Sequence, residues 1–238
     1  MEVRGERECR ECGTRWSYYE TGDVACPDCG SLVSVGVDER TRHTDAPVEF
    51  DLTEIRLAVD EEPLRRLIGR AAESAREHVR RRGFVDAGEL RDLDDTYLAA
   101  AELRAVAGAV GRTWTPGDAE RAYCLSLLRA DVGVRPDPDA VPASMRASRG
   151  LAVAAAVDTY REDCLGYLDW IDRDAPTVRA ALGTLRGHGK RIAALDGDLP
   201  VDETEPLVVA AREVAEALRA GEDIHAERAR ERLDASTT

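Results

Sequence analysis

Residues 9–30 read CRECGTRWSYYETGDVACPDCG, and this stretch decides how the N-terminal part of the chain folds. It contains the motif Cys-x-x-Cys-Gly twice, at Cys9/Cys12/Gly13 and at Cys26/Cys29/Gly30, and thirteen residues separate Cys12 from Cys26. Two residues between paired cysteines let one tight turn direct both sulfurs at the same point, and glycine after each pair permits a positive φ. Four thiolates are a ligand set for a tetrahedral zinc ion. We therefore predict a closed metal site formed by Cys9, Cys12, Cys26 and Cys29.

The residues around the cysteines predict a small β module. Residues 14–19 have the pattern of a strand, 20–23 that of a turn, and 31–37 alternate like a third strand. A module of this size has almost no hydrophobic core, so bound metal would supply most of its folding free energy, about 10–16 kcal/mol in zinc-finger peptides.

The cysteine pattern resembles the zinc ribbon of the transcription factor IIB type, and it is also similar to the knuckles of rubredoxin-like modules. The first resemblance implies structural zinc and the second implies iron with redox chemistry. The short loop between the two cysteine pairs favours zinc. Two matched pairs, each followed by glycine, argue against a redox dithiol.

Three aromatic residues, Trp16, Tyr18 and Tyr19, fall on the first predicted strand. The favoured interpretation is a small apolar cover over the metal. The alternative is an exposed aromatic face that docks a protein or stacks a nucleic-acid base.

The composition is strongly acidic, with 47 Asp and Glu against 33 Lys and Arg, and Lys190 is the only lysine. This surface resembles the proteins of salt-loving archaea, and the whole chain resembles zinc-ribbon proteins of those organisms that have no assigned function. In molar salt the Debye length is about 3 Å, so the net charge of −14 says little about partners. Nucleic-acid binding is therefore neither supported nor excluded by charge.

The N-terminus is charged, and no apolar run approaches the roughly 18–20 residues of a membrane span. We expect a cytoplasmic protein with no membrane partner, whose six cysteines are metal ligands and buried thiols rather than disulfides.

The chain is expected to divide into a zinc ribbon at 1–40, an extended linker or arm at 41–60 and an α-helical domain at 61–238. Apolar residues alternate at Val48, Phe50 and Leu52 and again at Ile55, Leu57 and Val59, which favours an arm across the helices. His43 lies in a polar stretch and is interpreted as a solvated loop histidine.

Apolar periodicity and capping residues predict five to seven helices after residue 60. Their expected extents are 63–82, 87–110 ended by Gly111, a helix from Thr115-Pro116 to about 130, 142–171, 176–195 with a break at 187–189, and 205–233 with an interruption at Gly221. Thr237–Thr238 is expected to fray. The predicted fold is mainly α, with a small N-terminal β zinc ribbon followed by an α-helical bundle. The run Arg80–Arg82 is interpreted as a favourable helix end rather than a phosphate site.

No catalytic signature emerges from the helical part. A di-iron bundle of the rubrerythrin type needs two Glu-x-x-His pairs, and the chain offers only Glu222 with His225. The segment 183–190, GTLRGHGK, lacks the spacing of a phosphate loop, although recognition by His188, Lys190 and Arg191 stays open. Cys124 and Cys164 are expected to be buried. The acid pairs Asp94/Asp95 and Asp169/Asp172 are expected by chance in so acidic a chain.

These observations favour a non-enzymatic adaptor or regulatory protein with a structural zinc ribbon, a protein partner and an association with transcription. Two alternatives remain open: a rubrerythrin-like metal-dependent redox enzyme, and binding of single-stranded nucleic acid through the ribbon aromatics.

Overall fold

The computed structural model describes residues 1–110 and 114–236. Two expectations fall outside this range, namely Gly111 as the end of a helix and Thr237–Thr238 as a frayed terminus. The strands are β1 (Glu2–Arg4), β2 (Glu6–Cys9), β3 (Arg15–Ser17), β4 (Ser34–Gly36), β5 (Arg40–Arg42), β6 (Val85–Asp86) and β7 (Glu89–Leu90). The helices are α1 (Tyr18–Thr21), α2 (Thr53–Leu57), α3 (Leu64–Arg81), α4 (Asp95–Ala109), α5 (Asp118–Leu127), α6 (Arg146–Trp170), α7 (Pro176–Ala194), α8 (Val201–Ala220) and α9 (Asp223–Ala235). The prediction of a mainly helical chain with small N-terminal sheets is confirmed.

The N-terminal β module is built on β2, which pairs antiparallel with β3 on one side and β4 on the other. A separate two-stranded antiparallel sheet pairs β1 with β5 and places Val3 opposite Thr41. The first predicted strand is shorter than expected, because the chain turns into the single helical turn α1 at Tyr18. The third is shorter because residues 31–33 still belong to the second cysteine turn, where Cys26 donates to the Ser31 carbonyl.

The segment 41–60 begins within β5, runs without regular structure, and then enters α2. Leu52 and Ile55 are buried against α3, α4 and α5, and the Leu52 N–H donates to Asp131 Oδ2 at 2.9 Å. The interpretation of residues 55–59 as extended is wrong. Thr53–Leu57 is helical, which buries Ile55 and leaves Leu57 exposed.

The helical core consists of two apolar clusters that meet at α4. One cluster joins α4 with α6, α7, α8 and α9, and it includes Phe84, whose ring makes edge contacts with Tyr97 and Tyr160. The other joins α4 with α2, α3 and α5. Because α4 packs on both sides, its apolar residues surround the helix instead of forming one stripe.

A short β-hairpin replaces the first part of the helix expected at 87–110. β6 and β7 pair across a two-residue turn in which Ala87 and Gly88 both have positive φ, the feature typical of a type I′ turn. The helix starts only at Asp95, because the Asp94 carboxylate accepts the Tyr97 N–H at 2.8 Å and caps it.

Other helix starts also differ from the sequence expectation. α5 begins after Gly117 rather than Thr115, with Glu120 Oε2 accepting the Gly117 N–H at 2.8 Å. α6 begins at Arg146, after a 3-10 turn over Ala143–Met145.

The break expected at 187–189 is absent, since α7 runs continuously from Pro176 to Ala194. α8 starts at Val201 and contains Pro206 in its second turn, instead of starting there. The interruption at Gly221 is confirmed, because that residue has φ 77° and ends α8.

Close packing at Gly150 of α6 gives a test of this arrangement. A Cβ at Gly150 would overlap the carbonyl oxygen of Gly197, whereas a Cβ at Gly69 in α3 would meet nothing within 4 Å. Gly150→Ala is expected to lower the free energy of unfolding by about 1–3 kcal/mol, and Gly69→Ala to raise it by about 0.5–1 kcal/mol. Urea unfolding measures both changes. Equal shifts for the two variants would contradict the close approach of α6 to residue 197.

Candidate metal centre

The first cysteine turn is closed by two backbone hydrogen bonds. The Cys9 N–H donates to the Thr14 carbonyl at 2.9 Å, and the Gly13 N–H donates to the Cys9 carbonyl at 3.1 Å. Gly13 has φ 76°, a conformation that a residue with a side chain rarely adopts. The Glu11 N–H points at Cys9 Sγ across 3.4 Å.

The second turn repeats this geometry. The Cys26 N–H donates to the Ser31 carbonyl and the Gly30 N–H to the Cys26 carbonyl, both at 2.9 Å, and Gly30 has φ 71°. The predicted need for glycine at both positions is confirmed by these φ values.

The two turns bring four sulfurs together. Cys9 Sγ lies 3.6 Å from Cys29 Sγ, Cys12 Sγ lies 3.6 Å from Cys26 Sγ, and all four sulfurs lie within 4.8 Å of one another. A tetrahedral ion with bonds of about 2.3 Å to sulfur requires sulfurs about 3.8 Å apart. The cluster therefore fits a four-coordinate metal ion, and four protein ligands would leave no position open for a substrate.

The site has one buried and one exposed side. Cys9 and Cys26 are buried, whereas Cys12 and Cys29 are exposed. Hydrogen bonding by the Thr14 hydroxyl, 3.2 Å from the sulfur, and by its backbone lowers the pKa of the Cys12 thiol to about 7. The Ser31 backbone lowers the pKa of Cys29, but the adjacent Cys12 sulfur and the other sulfurs of the cluster outweigh it and raise that pKa to about 12. The neighbouring sulfurs thus favour ionisation of Cys12 and oppose that of Cys29.

Trp16 covers the buried side of the cluster. Its ring is only 7% exposed and packs on Cys9 and Cys26, while its Nε1–H donates to the Asp23 carbonyl at 3.1 Å. The interpretation of an apolar cover is confirmed for Trp16.

Tyr18 and Tyr19 have a different role from Trp16, because they pack against His43. The ring of Tyr19 lies 4.8 Å from that of His43, the ring of Tyr18 lies 6.1 Å from it, and the Tyr19 hydroxyl bonds to Thr41. These two tyrosines therefore belong to the junction between the β module and the helices.

The interpretation of His43 as a solvated loop residue is wrong. Its side chain is 3% exposed, and its Nδ1 lies 3.4 Å from Asp86 Oδ1 and 3.3 Å from the Ala87 N–H. The partners come from the hairpin β6–β7, more than forty residues later, so no local sequence signal could have shown this burial.

Further contacts fix the β module on α6. Thr44 Oγ1–H and the Phe84 N–H both donate to Asp163 Oδ2 at 2.7 Å. The Arg42 guanidinium lies against Gly166, where any side chain would overlap it. The candidate metal centre is thus attached to the helices through packed residues rather than through a free linker.

A sequence model of one protein family matches residues 1–233, which contain the four cysteines and nearly all of the helical part. The chain belongs to the family of unknown function DUF7117. No similar protein was found among curated proteins or among solved structures. In this DUF7117 chain, none of the helices in the described part is both long and apolar enough to cross a bilayer.

The residues of a di-iron site are not brought together. Within 1–110 and 114–236, the four cysteines are the one group of His, Cys, Asp or Glu side chains whose geometry could hold a metal ion. Glu222 precedes α9 on the surface and His225 lies in its first turn, without a second Glu-x-x-His pair.

The two remaining cysteines are core residues. Cys124 and Cys164 are fully buried, and burial raises the pKa of the Cys124 thiol to about 12 and that of Cys164 still further. The prediction that both are buried is confirmed, and these neutral thiols are poor nucleophiles.

The other sequence candidates have structural explanations. His188 and Arg191 lie on continuous α7, where Arg191 pairs with Glu203 at 3.3 Å. Asp94 caps α4, and Asp169 pairs with Arg179 at 2.7 Å. None of these residues lies in the sulfur cluster.

A buried ion cluster was missed by the sequence analysis. It consists of Glu102 on α4, Tyr123 on α5, Arg135 in the loop between α5 and α6, Arg149 on α6 and Glu205 on α8. Arg149 bonds to Glu102 at 3.0 Å and to Glu205 at 2.9 Å, Arg135 bonds to Glu205 at 2.8 Å, and the Tyr123 hydroxyl donates to Glu102. The sequence feature that could have indicated this cluster is Glu102, which interrupts an otherwise apolar stretch of α4.

The charges of this cluster are balanced, with two arginines and two glutamates. Burial lowers the pKa of Arg149, but Glu102 and Glu205 outweigh that effect and raise it above its ordinary value. Burial and the Glu102 charge raise the pKa of Tyr123, so its hydroxyl remains a donor. The cluster therefore joins four helices as a structural unit.

Buried histidines predict a loss of stability in acid. Burial lowers the pKa of His43 and of His78. The Arg82 charge lowers the pKa of His78 further, and the opposing effect of Asp94 and Asp45 is smaller. A lowered pKa means that the unfolded chain binds more protons, so this stability is present above pH 6.5 and is lost as the pH falls below it. Urea midpoints at pH 8 and pH 5.5 should show the difference.

A variant of His78 can distinguish the loss of stability caused by histidine protonation from a loss caused by carboxylates. Its ring stacks on Phe50 at 4.6 Å, and neither ring nitrogen has a hydrogen-bond partner in the described chain. His78→Phe keeps the stacking and removes the titration, so it should reduce the loss between the two pH values. If His78→Phe loses as much stability between pH 8 and pH 5.5 as the wild type, other titrating groups cause the loss.

Proposed function

We propose that this protein is a non-enzymatic adaptor in which a zinc ion, held by Cys9, Cys12, Cys26 and Cys29, stabilises a β module that binds another protein. The convergence of four sulfurs within 4.8 Å carries the proposal. Bound zinc would supply folding free energy, because four thiolates fill its coordination shell. The resemblance to ribbons of the transcription factor IIB type adds the expectation that the partner belongs to transcription.

The proposed contact surface surrounds the second cysteine turn. Leu32 is 75% exposed and Val33 is 55% exposed, Val24 is exposed near the same end of β4, and Val37 is exposed after its other end. Several exposed apolar side chains on so small a module are typical of a protein interface. Because these exposed side chains are apolar, we expect the partner to offer a complementary apolar patch.

Replacing the exposed apolar residues tests this surface. The variant Leu32→Ser with Val33→Ser should lower partner capture at least about tenfold, since the apolar contact is lost. Leu57→Ser is the matched control, because Leu57 is 77% exposed on α2 and belongs to the helical part. The measurement is affinity capture in molar salt with quantitative mass spectrometry.

Two outcomes would contradict the proposal. One is equal capture by wild type and both variants, and the other is recovery of no stable partner. Polymerase subunits among the captured proteins would support the association with transcription.

The alternatives have no supporting observation. Single-stranded nucleic acid would need an exposed aromatic face, but Trp16 is buried and Tyr18 and Tyr19 pack against His43. A rubrerythrin-type enzyme would need metal ligands in the bundle, and within the described residues only the four cysteines form such a group.

A further inference from the structure

A cavity of about 370 Å³ opens between α3, α4 and α6, away from the sulfur cluster. Its polar lining residues are Arg76 and Arg80 of α3, Tyr97 and Arg104 of α4, and Thr159 of α6. Alanine and valine side chains form the rest of the wall. Each helix contributes residues three or four positions apart, so one face of every helix is directed at the cavity.

The charge of this cavity is opposite to that of the protein. Three guanidinium groups line it, and none of its described lining residues is a carboxylate, although the chain has a net charge of −14. Chance placement on so acidic a surface would be expected to bring at least one Asp or Glu into the wall.

Arg104 is the central cation. It is half-buried, and no carboxylate oxygen of residues 1–110 or 114–236 lies within 4.0 Å of its guanidinium, whereas most arginines in the chain have such a partner. A half-buried guanidinium without a carboxylate retains donors for a ligand.

Arg76 and Arg80 are paired only with neighbours on their own helix, Glu73 and Glu77. Their side chains are 54% and 69% exposed. Exposed pairs of this kind contribute about 0–1 kcal/mol, so both arginines can turn toward an anion at small cost.

Two hydroxyl groups complete the polar wall. Burial raises the pKa of the Tyr97 phenol, the nearby Thr159 hydroxyl and the Arg104 charge lower it, and the Asp163 charge raises it, so Tyr97, Thr159 and Arg104 lie close together. The phenol therefore stays protonated, and together with Thr159 it makes this wall polar beside Arg104.

From this arrangement we infer that the cavity binds the phosphate group of a small molecule, with Arg104 as its main ligand and Arg76 and Arg80 closing over it. Arginine forks match the geometry of phosphate oxygens and can bind them in pairs. The cavity falls within the size range of small-molecule sites, about 300–1,000 Å³, which favours a phosphomonoester over the free ion. The inference is independent of the metal centre and of the adaptor proposal.

Phosphate titration at constant ionic strength tests the site. Inorganic phosphate and adenosine monophosphate are the probes, chloride keeps the ionic strength fixed, and NMR amide shifts of α3, α4 and α6 report binding. Saturable shifts at these helices are expected for wild type. Tighter binding of the monophosphate would identify a phosphomonoester ligand, and tighter binding of inorganic phosphate would identify the free ion.

Charge-matched variants show whether the pocket arginine is responsible. Arg104→Gln should weaken binding about tenfold or more, as expected for loss of a charge-assisted pair of hydrogen bonds. Arg65→Gln is the control, because Arg65 is exposed on α3 outside the cavity. Arg80→Gln serves as a second test on an exposed position, with a smaller loss. Absence of saturable binding, or equal loss in Arg65→Gln and Arg104→Gln, would overturn the inference.

Discussion

Cys9→Ser is expected to release the metal and unfold the β module while the helices stay folded. Cys9 is a buried member of the sulfur cluster and packs against Trp16. Its replacement therefore removes a metal ligand and also the packing contact with Trp16. The module has no other apolar cluster among the described residues 1–42. Structural zinc contributes about 10–16 kcal/mol of apparent free energy in zinc-finger peptides, more than so small a module can replace.

Hydrogen exchange and metal analysis measure this effect together. The amides of β2, β3 and β4 should lose protection and the bound metal should fall to background, while the helical circular dichroism signal is kept. Cys164→Ala is the matched control, because Cys164 is equally buried but lies in α6. Retained metal in Cys9→Ser, or loss of metal in Cys164→Ala, would contradict the assignment of the ligands.

Arg149→Met is expected to lower the free energy of unfolding by about 3–5 kcal/mol, the second large effect. The Arg149 side chain is 1% exposed and binds Glu102, which is also 1% exposed. Removing the cation leaves a buried carboxylate whose remaining partners are Tyr123 and Arg135, the latter 3.5 Å away. Desolvation of that charge then opposes folding.

Urea unfolding of single and double variants checks the source of this loss. Arg179→Met removes an exposed pair with Asp169 and should cost only about 0–1 kcal/mol. Adding Glu102→Met to Arg149→Met should recover part of the loss, because the unpaired charge is then absent. If the double variant instead has a lower free energy of unfolding than Arg149→Met alone, the loss does not come from the unpaired Glu102 charge, and an electrostatic origin is contradicted.

Local patterns in the sequence predicted the features that depend on neighbouring residues. The spacing of the cysteines is enough to bring four sulfurs together, because each pair is aimed by its own tight turn. The helix expected at 142–171 also follows from periodicity alone, and α6 buries Cys164 as expected, together with Val153, Val157, Tyr160 and Leu168 at helical spacing. The interruption at Gly221 is another local effect of positive φ.

Features that depend on distant residues could not be predicted in this way. His43 is buried because the hairpin β6–β7 lies against it, and that hairpin was missed because its turn carries Ala87 where asparagine or aspartate is usual. The glycines at 187 and 189 suggested a break, but packing of α7 on α6, α8 and α9 keeps the helix continuous. The buried ion cluster draws its charges from four helices, so only the folded chain brings them together.

Metal content of the native protein tests the central claim most directly. Native mass spectrometry with elemental analysis, on protein purified without added metal, should find about one zinc ion per chain, in a colourless sample. The same ion should disappear in Cys9→Ser and persist in Cys164→Ala. A red sample with iron at the four cysteines, or a folded β module without any metal, would contradict a structural zinc centre.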